Sequence, residues 1–125
     1  MRAVAAVALG AALGGVLRFA AVQAVVARFG GTQAFLATAF INITGSFAIG
    51  VVLELAGERG AIGPLGRLFL ATGVLGGYTT FSTFSYEAFA LAAQGRLAVA
   101  SAYVCGSVVL SIAGAIGGIA IARAL

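Results

Sequence analysis

The stretch Gly76-Gly77-Tyr78-Thr79-Thr80-Phe81-Ser82-Thr83-Phe84-Ser85 decides how this chain is built. Ahead of it lies the apolar run Leu65 to Leu75. At about 1.5 Å of rise per residue that run is too short to cross a hydrocarbon layer of about 30 Å. The apolar pattern resumes from Phe81 to Ala93, so the two runs read together as one crossing. Two adjacent glycines followed by two threonines in its middle mark a break in the helix. Lipid offers no hydrogen bonds, so backbone freed by a break must be satisfied by protein, water or an ion. Gly76 to Thr80 is therefore the first functional candidate, and a kink that only improves packing is its bland alternative.

Working outward, the composition says why a membrane is the right solvent. The chain has 125 residues, 62% of them hydrophobic and 19 of them Gly, and only 8% are charged. A soluble domain carries roughly 25% charged residues, so this surface must face lipid. Seven Arg stand against three Glu, with no Lys, Asp or His, which leaves little for acid–base, nucleophilic or metal catalysis and speaks against an enzyme. No nucleic-acid partner is expected. At about 20 residues per spanning helix, four helices use nearly the whole chain, and residues 1–125 read as a single four-helix transmembrane domain. The fold class is all-α and integral to the membrane.

The first span runs from Ala3 to Ala27 and stops at Arg28-Phe29-Gly30-Gly31. Arg2 before the Ala3 to Leu17 run also suits a cleavable signal peptide, but the apolar stretch resumes at Phe19 with no polar cleavage region. The second runs from about Thr32 to Leu55 and closes on Gly57-Glu58-Arg59-Gly60. The third is the broken one, and after Gln94-Gly95-Arg96 the fourth covers Leu97 to Ala122. Pro64 sits outside every helix. Cys105, inside an apolar run and without a partner, reads as a small core residue.

Alternate turns lie on opposite sides of the membrane. Arg2, Arg59, Arg67 and Arg123 then share the side of the termini, Arg28 and Arg96 take the other, and Arg18 lies deeper. Arginine bias orients small helical proteins, and this bias is weak. Insertion in both orientations, and with it an antiparallel homodimer, is compatible with the count; one fixed orientation with cytoplasmic termini is the alternative.

Polar residues inside the spans follow helical spacing. Thr38, Asn42, Ser46, Gly50 and Glu54 recur every four residues, as do Tyr103, Ser107 and Ser111 ahead of Gly114 and Gly118. Each stripe must face protein or water. Hydroxyls four apart can pass a solute from donor to donor, or they can serve as interhelical glue with small-residue packing. Gly10, Gly14 and Arg18 form a third stripe whose arginine either snorkels or lines a vestibule that concentrates anions. Phe81 and Phe84 are three apart, and their positive ring edges suit a small anion as well as ordinary packing. Glu87, on the face of Thr80, either carries protons or pairs with an arginine.

At these residues the sequence resembles the Fluc (CrcB-type) family of fluoride ion channels. The likeness covers the whole chain. Its most specific part is the Gly76 to Ser85 run, which is similar to the family's glycine-rich TTFSTF signature and too long for chance. Thr38, Asn42, Gly45-Ser46-Phe47 and Gly50 resemble a second motif, with Ala37 and Ala39 where Gly and Leu are more common. Arg18-Phe19 stands where the family usually has Arg-Tyr. The resemblance implies an antiparallel dual-topology homodimer in the bacterial inner membrane, with passive fluoride efflux that lowers cytoplasmic fluoride. It also implies one structural sodium ion (Na+) at the dimer centre, on the backbone carbonyls of Gly76 and Thr79. The implied pore residues are Asn42, Phe81, Phe84, Tyr103, Ser107 and Ser111, with Thr38 and Ser82 nearby and Arg18 in a vestibule. A small proton-coupled multidrug exporter is the rival, also short and four-helical, but it is expected to carry a Glu in the first helix, where this chain has Arg18. A structural membrane subunit is a third reading and leaves the polar stripes without a purpose.

Overall fold

A computed structural model describes residues 1–57 and 60–125; the close of the second span at Glu58 and Arg59, and Arg59's share in the arginine count, lie outside the described residues. Helix α1 covers Arg2–Phe29, and a 3-10 turn at Gly31–Gln33 leads into α2, Ala34–Ala56. A short α3, Pro64–Arg67, runs into a π-helical segment, Leu68–Leu75, and then into α4, Gly76–Tyr78. Helix α5 is Phe81–Ala93 and α6 is Leu97–Ala124. Among the described residues, all regular structure is helical. Among the described residues, three stretches are long and apolar enough to cross a membrane: Arg2–Phe29, Gly31–Ala56 and Leu97–Ala124.

The ends follow local chemistry. Gly30 (φ 87°) and Gly95 (φ 75°) take left-handed backbone that ends α1 and α5, where a side chain would be strained. Around Gly95, the Arg96 N–H returns to the Leu91 carbonyl at 3.0 Å. Pro64 opens α3 at a position whose N–H has no helical partner in any case.

Two pairs of helical stretches run parallel. Gly10 meets Gly73, and Gly14 meets Val74 and Tyr78, so positions rise together along α1 and the Leu68–Tyr78 stretch. The same holds for α2 and α6: Phe35 meets Tyr103, Gly50 meets Ala115, and Glu54 meets Arg123. Against α2, by contrast, α5 runs antiparallel, since Thr38 reaches Glu87 while Asn42 reaches Thr80.

Size decides what lies inside. The buried positions include Gly10, Gly14, Gly45, Gly50, Gly73 and Gly118. Large apolar side chains such as Leu9, Val16, Val109 and Ile116 point outward. Lipid is as apolar as leucine, so nothing drives large side chains inward, and close backbone approach does the packing. A Cβ on Gly14 would overlap the Val74 carbonyl, and one on Gly118 the Phe47 carbonyl. The same rule corrects the expectation for Cys105, which is exposed on the outer face of α6 rather than buried. A weakly polar thiol facing lipid costs little.

Within the Gly76 to Thr80 stretch, the structure separates the glycines from the threonines. Gly76 and Gly77 remain helical, and the extended residues are Thr79 (ψ 158°) and Thr80 (φ −152°). Gly77 is needed for contact instead, because a Cβ there would lie 2.5 Å from the Ala11 carbonyl oxygen.

Candidate functional site

The site is organised by the two extended threonines between α4 and α5. Asn42 holds them with both ends of its amide: its Nδ2 donates to the Thr80 carbonyl at 3.0 Å, and its Oδ1 accepts from the Thr80 N–H at 2.9 Å. In a continuous helix that N–H would serve the Gly76 carbonyl, so the clamp frees the carbonyl. One Asn42 N–H remains to donate elsewhere. Thr80 Oγ1 then caps α5 by accepting from the Thr83 N–H at 3.3 Å. On the far side, Arg18 donates to the Thr79 carbonyl at 3.3 Å, and the Tyr78 hydroxyl is 3.1 Å from that of Thr44.

Beside the break opens a cavity of about 410 Å³, lined among others by Asn42, Ser46, Gly76, Thr79, Phe81, Phe84, Ser107 and Ser111. Among the described residues, no side chain in its wall carries a charge. The Ser107 hydroxyl is buried and, among the described residues, has no hydrogen-bond partner. A buried hydroxyl left unmatched costs about 1–3 kcal/mol, so a donor without a protein partner sits just behind this wall. The Phe81 and Phe84 rings sit 5.7 Å apart at 43°, with Phe84 buried and Phe81 78% exposed. Phe84 continues into Tyr103, 5.1 Å away, and Tyr103 meets Phe35 edge-on at 5.4 Å. Ser107 also lines a smaller apolar groove with Phe35, Val99 and Tyr103, so it stands where two concavities meet.

The structure gathers Asn42, Phe81, Phe84, Ser107 and Ser111 around one cavity, together with Gly76 and Thr79. Four of the expected residues lie elsewhere. Thr38 is buried, and its hydroxyl donates to Glu87 Oε1 at 3.1 Å. The single hydroxyl proton of Tyr103 goes to Glu87 Oε2 at 2.8 Å. Ser82 is exposed at the start of α5, 3.4 Å from the Thr80 hydroxyl. Arg18 is half-buried against the Thr79 carbonyl. Glu87 thus anchors a carboxylate–hydroxyl cluster that the sequence did not resolve. The signal for it was present only as separate spacings, Thr38 four before Asn42 and Glu87 seven after Thr80.

Taken together these features define an all-helical membrane protein with a cavity of neutral donors beside an interrupted backbone. The sequence profile of the family described as CrcB-like protein, Camphor Resistance (CrcB), matches residues 5–119, and the chain belongs to that family. Among its relatives is the "Fluoride-specific ion channel FluC" of Methylobacterium sp. (strain 4-46), 50% identical over 115 residues, which cover 92% of this chain and 91% of that protein. The protein of that name from Nitrobacter winogradskyi is 45% identical over 120 residues, 96% and 94% of the two chains. That from Agrobacterium fabrum is 43% identical over 122 residues, 98% and 97%.

Proposed function

We propose that this protein is a fluoride-specific ion channel, not an enzyme, that lets fluoride leave the cytoplasm passively. The carrying observation is the uncharged cavity wall with the unpartnered buried hydroxyl of Ser107. Fluoride is small and strongly hydrated, so a pathway must replace lost water with several donors. Ser107, Ser111 and the free N–H of Asn42 supply them, and the ring edges of Phe81 and Phe84 add positive character without a fixed charge. A lysine or arginine in the wall would hold the anion too firmly for it to leave.

The working unit in this reading is an antiparallel, dual-topology homodimer in the bacterial inner membrane. The stretches on either side of Thr79 and Thr80 together make one discontinuous third crossing in each subunit. Support comes from the surface of α5, where Phe81, Ser82, Thr83 and Ser85 are exposed side by side. Hydroxyls facing lipid are costly, and a second copy would cover them. In this reading Tyr103 and Thr38 extend the anion path when their hydroxyls turn from Glu87, with Ser82 nearby, and Arg18 draws anions toward its mouth.

Sodium at the dimer centre fits the donor set. The Thr79 carbonyl belongs to extended backbone and the Gly76 carbonyl to the last helical turn before it, both beside the cavity, and uncharged oxygens suit a hard cation. When bound, the ion supplies positive charge that holds carbonyls from two subunits together.

Liposomes loaded with fluoride test the function. With voltage clamped by a potassium ionophore, purified protein is expected to release fluoride without a proton gradient. Release that needs a proton gradient favours the exporter, and equal release of chloride removes the fluoride selectivity.

A further inference from the structure

The stripe Gly10, Gly14 and Arg18 does more than pack. Gly10 and Gly14 bring α1 against the Phe69 to Tyr78 backbone, and one turn later the same face delivers the Arg18 guanidinium to the Thr79 carbonyl. That carbonyl sits on extended backbone and is one of the proposed sodium ligands. From this contact, and resting on the sodium reading above, we propose that Arg18 is a built-in competitor of the sodium ion. It occupies the Thr79 carbonyl when the ion is absent and weakens the ion's hold when it is present.

The contact is long, at 3.3 Å, and it is made by one nitrogen of the guanidinium. A carbonyl oxygen has a second lone pair, so the contact does not block a cation outright. It places a permanent positive charge next to one. Arginine cannot escape by losing a proton, and the surroundings are half-buried, where charges are poorly screened. Two unit charges sharing one carbonyl repel strongly enough to change an affinity by roughly tenfold or more at an effective dielectric near 20. Arg18 also gives the Thr79 carbonyl a partner before assembly, when backbone in lipid would otherwise be unsatisfied. The same arginine therefore protects the unassembled subunit and sets how much sodium the assembled one needs.

Sodium titrations of the purified full-length protein test this, with sodium exchanged for N-methylglucamine at constant ionic strength and the melting temperature and dimer fraction as readouts. Arg18→Gln keeps an N–H donor without the charge and is expected to lower the half-saturating sodium concentration by about tenfold or more. Arg18→Lys keeps the charge and is expected to stay near the wild type. Equal midpoints in Gln and wild-type proteins that both respond to sodium overturn the competition. A weaker response in the Gln variant overturns it too, by making Arg18 a support for the site. No sodium response in any of the proteins overturns the sodium reading itself. Should Arg18→Gln fail to fold, the wild type still decides: with nitrogen-15-labelled arginine, one side-chain resonance is expected to shift with sodium and not with potassium. A saturable sodium response that moves no arginine signal overturns the inference.

Discussion

Two parallel helix pairs are sealed by the same device, and only one of them opens. Along α1 and the Leu68–Tyr78 stretch, Gly10, Ala11, Gly14, Gly73 and Gly77 bring backbone onto backbone over the full contact. Between α2 and α6 the seal covers only the half nearer Glu54 and Arg123, where Gly50, Gly114 and Gly118 meet Ala115, Ile43 and Phe47. In the other half larger residues, Phe35 and Tyr103, hold the helices apart, and α5 enters with Phe84 and Leu91. Phe35 and Tyr103 line the smaller groove, and the cavity lies next to it, with its α6 wall, Ser107 to Ile112, just ahead of the sealing glycines. The extended Thr79 and Thr80 close its other side.

The strongest way to break this contrast is to put bulk into the full seal. Gly14→Leu has no room against the Val74 and Tyr78 backbone, and little folded protein is expected on size-exclusion chromatography. Its neighbour sharpens the point, because a Cβ on Gly15 meets nothing within 4 Å. Gly15→Ala is expected to raise stability by up to about 1 kcal/mol from helix propensity, read as a higher melting temperature.

In the open pair, changing Phe81 and Phe84 together to Ile keeps the volume apolar and removes the ring edges. Fluoride flux in liposomes is expected to fall by at least about tenfold, each tenfold being about 1.4 kcal/mol of barrier; unchanged flux would sink their role in the path. Ser107→Ala separates function from stability. Removing an unpartnered buried hydroxyl is expected to leave the melting temperature equal or higher while flux falls by about tenfold, the worth of one donor. A lower melting temperature would mean that the hydroxyl has a structural partner. The smallest effect is expected at the sealed end, where Arg123 Nε contacts Glu54 at 3.0 Å but the arginine side chain is 62% exposed. Glu54→Gln is expected to cost no more than about 1 kcal/mol, checked by thermal unfolding.

Much of this was legible in the sequence, for a definite reason. A polar group in lipid is costly, so the four-residue spacing of Thr38, Asn42, Ser46, Gly50 and Glu54 had to face protein or water, and each meets a neighbouring helix or the cavity. The stripe drifts as it runs, touching α5 through Thr38 and the cavity through Ser46, then meeting α6 through Glu54. Spacing alone does not say which neighbour each residue meets. That is why Tyr103, read as part of a hydroxyl track, turns out to give its proton to Glu87. The glycine pair shows the same limit. Within the Gly76 to Thr80 stretch the extended residues are Thr79 and Thr80, held by Asn42, while Gly76 and Gly77 stay helical and Gly77 packs on α1.

By itself, then, the sequence determined that the chain is all-helical and apolar enough for lipid, and which faces carry polar or small residues. Those follow from transfer energies and helical period, and both are local quantities. Tertiary structure alone decided which residues of the Gly76 to Thr80 stretch are extended, which buried hydroxyl lacks a partner among the described residues, and that Arg18 meets the Thr79 carbonyl. Each of these depends on competition for a hydrogen bond among residues some 40 to 60 positions apart, and only packing brings the competitors together.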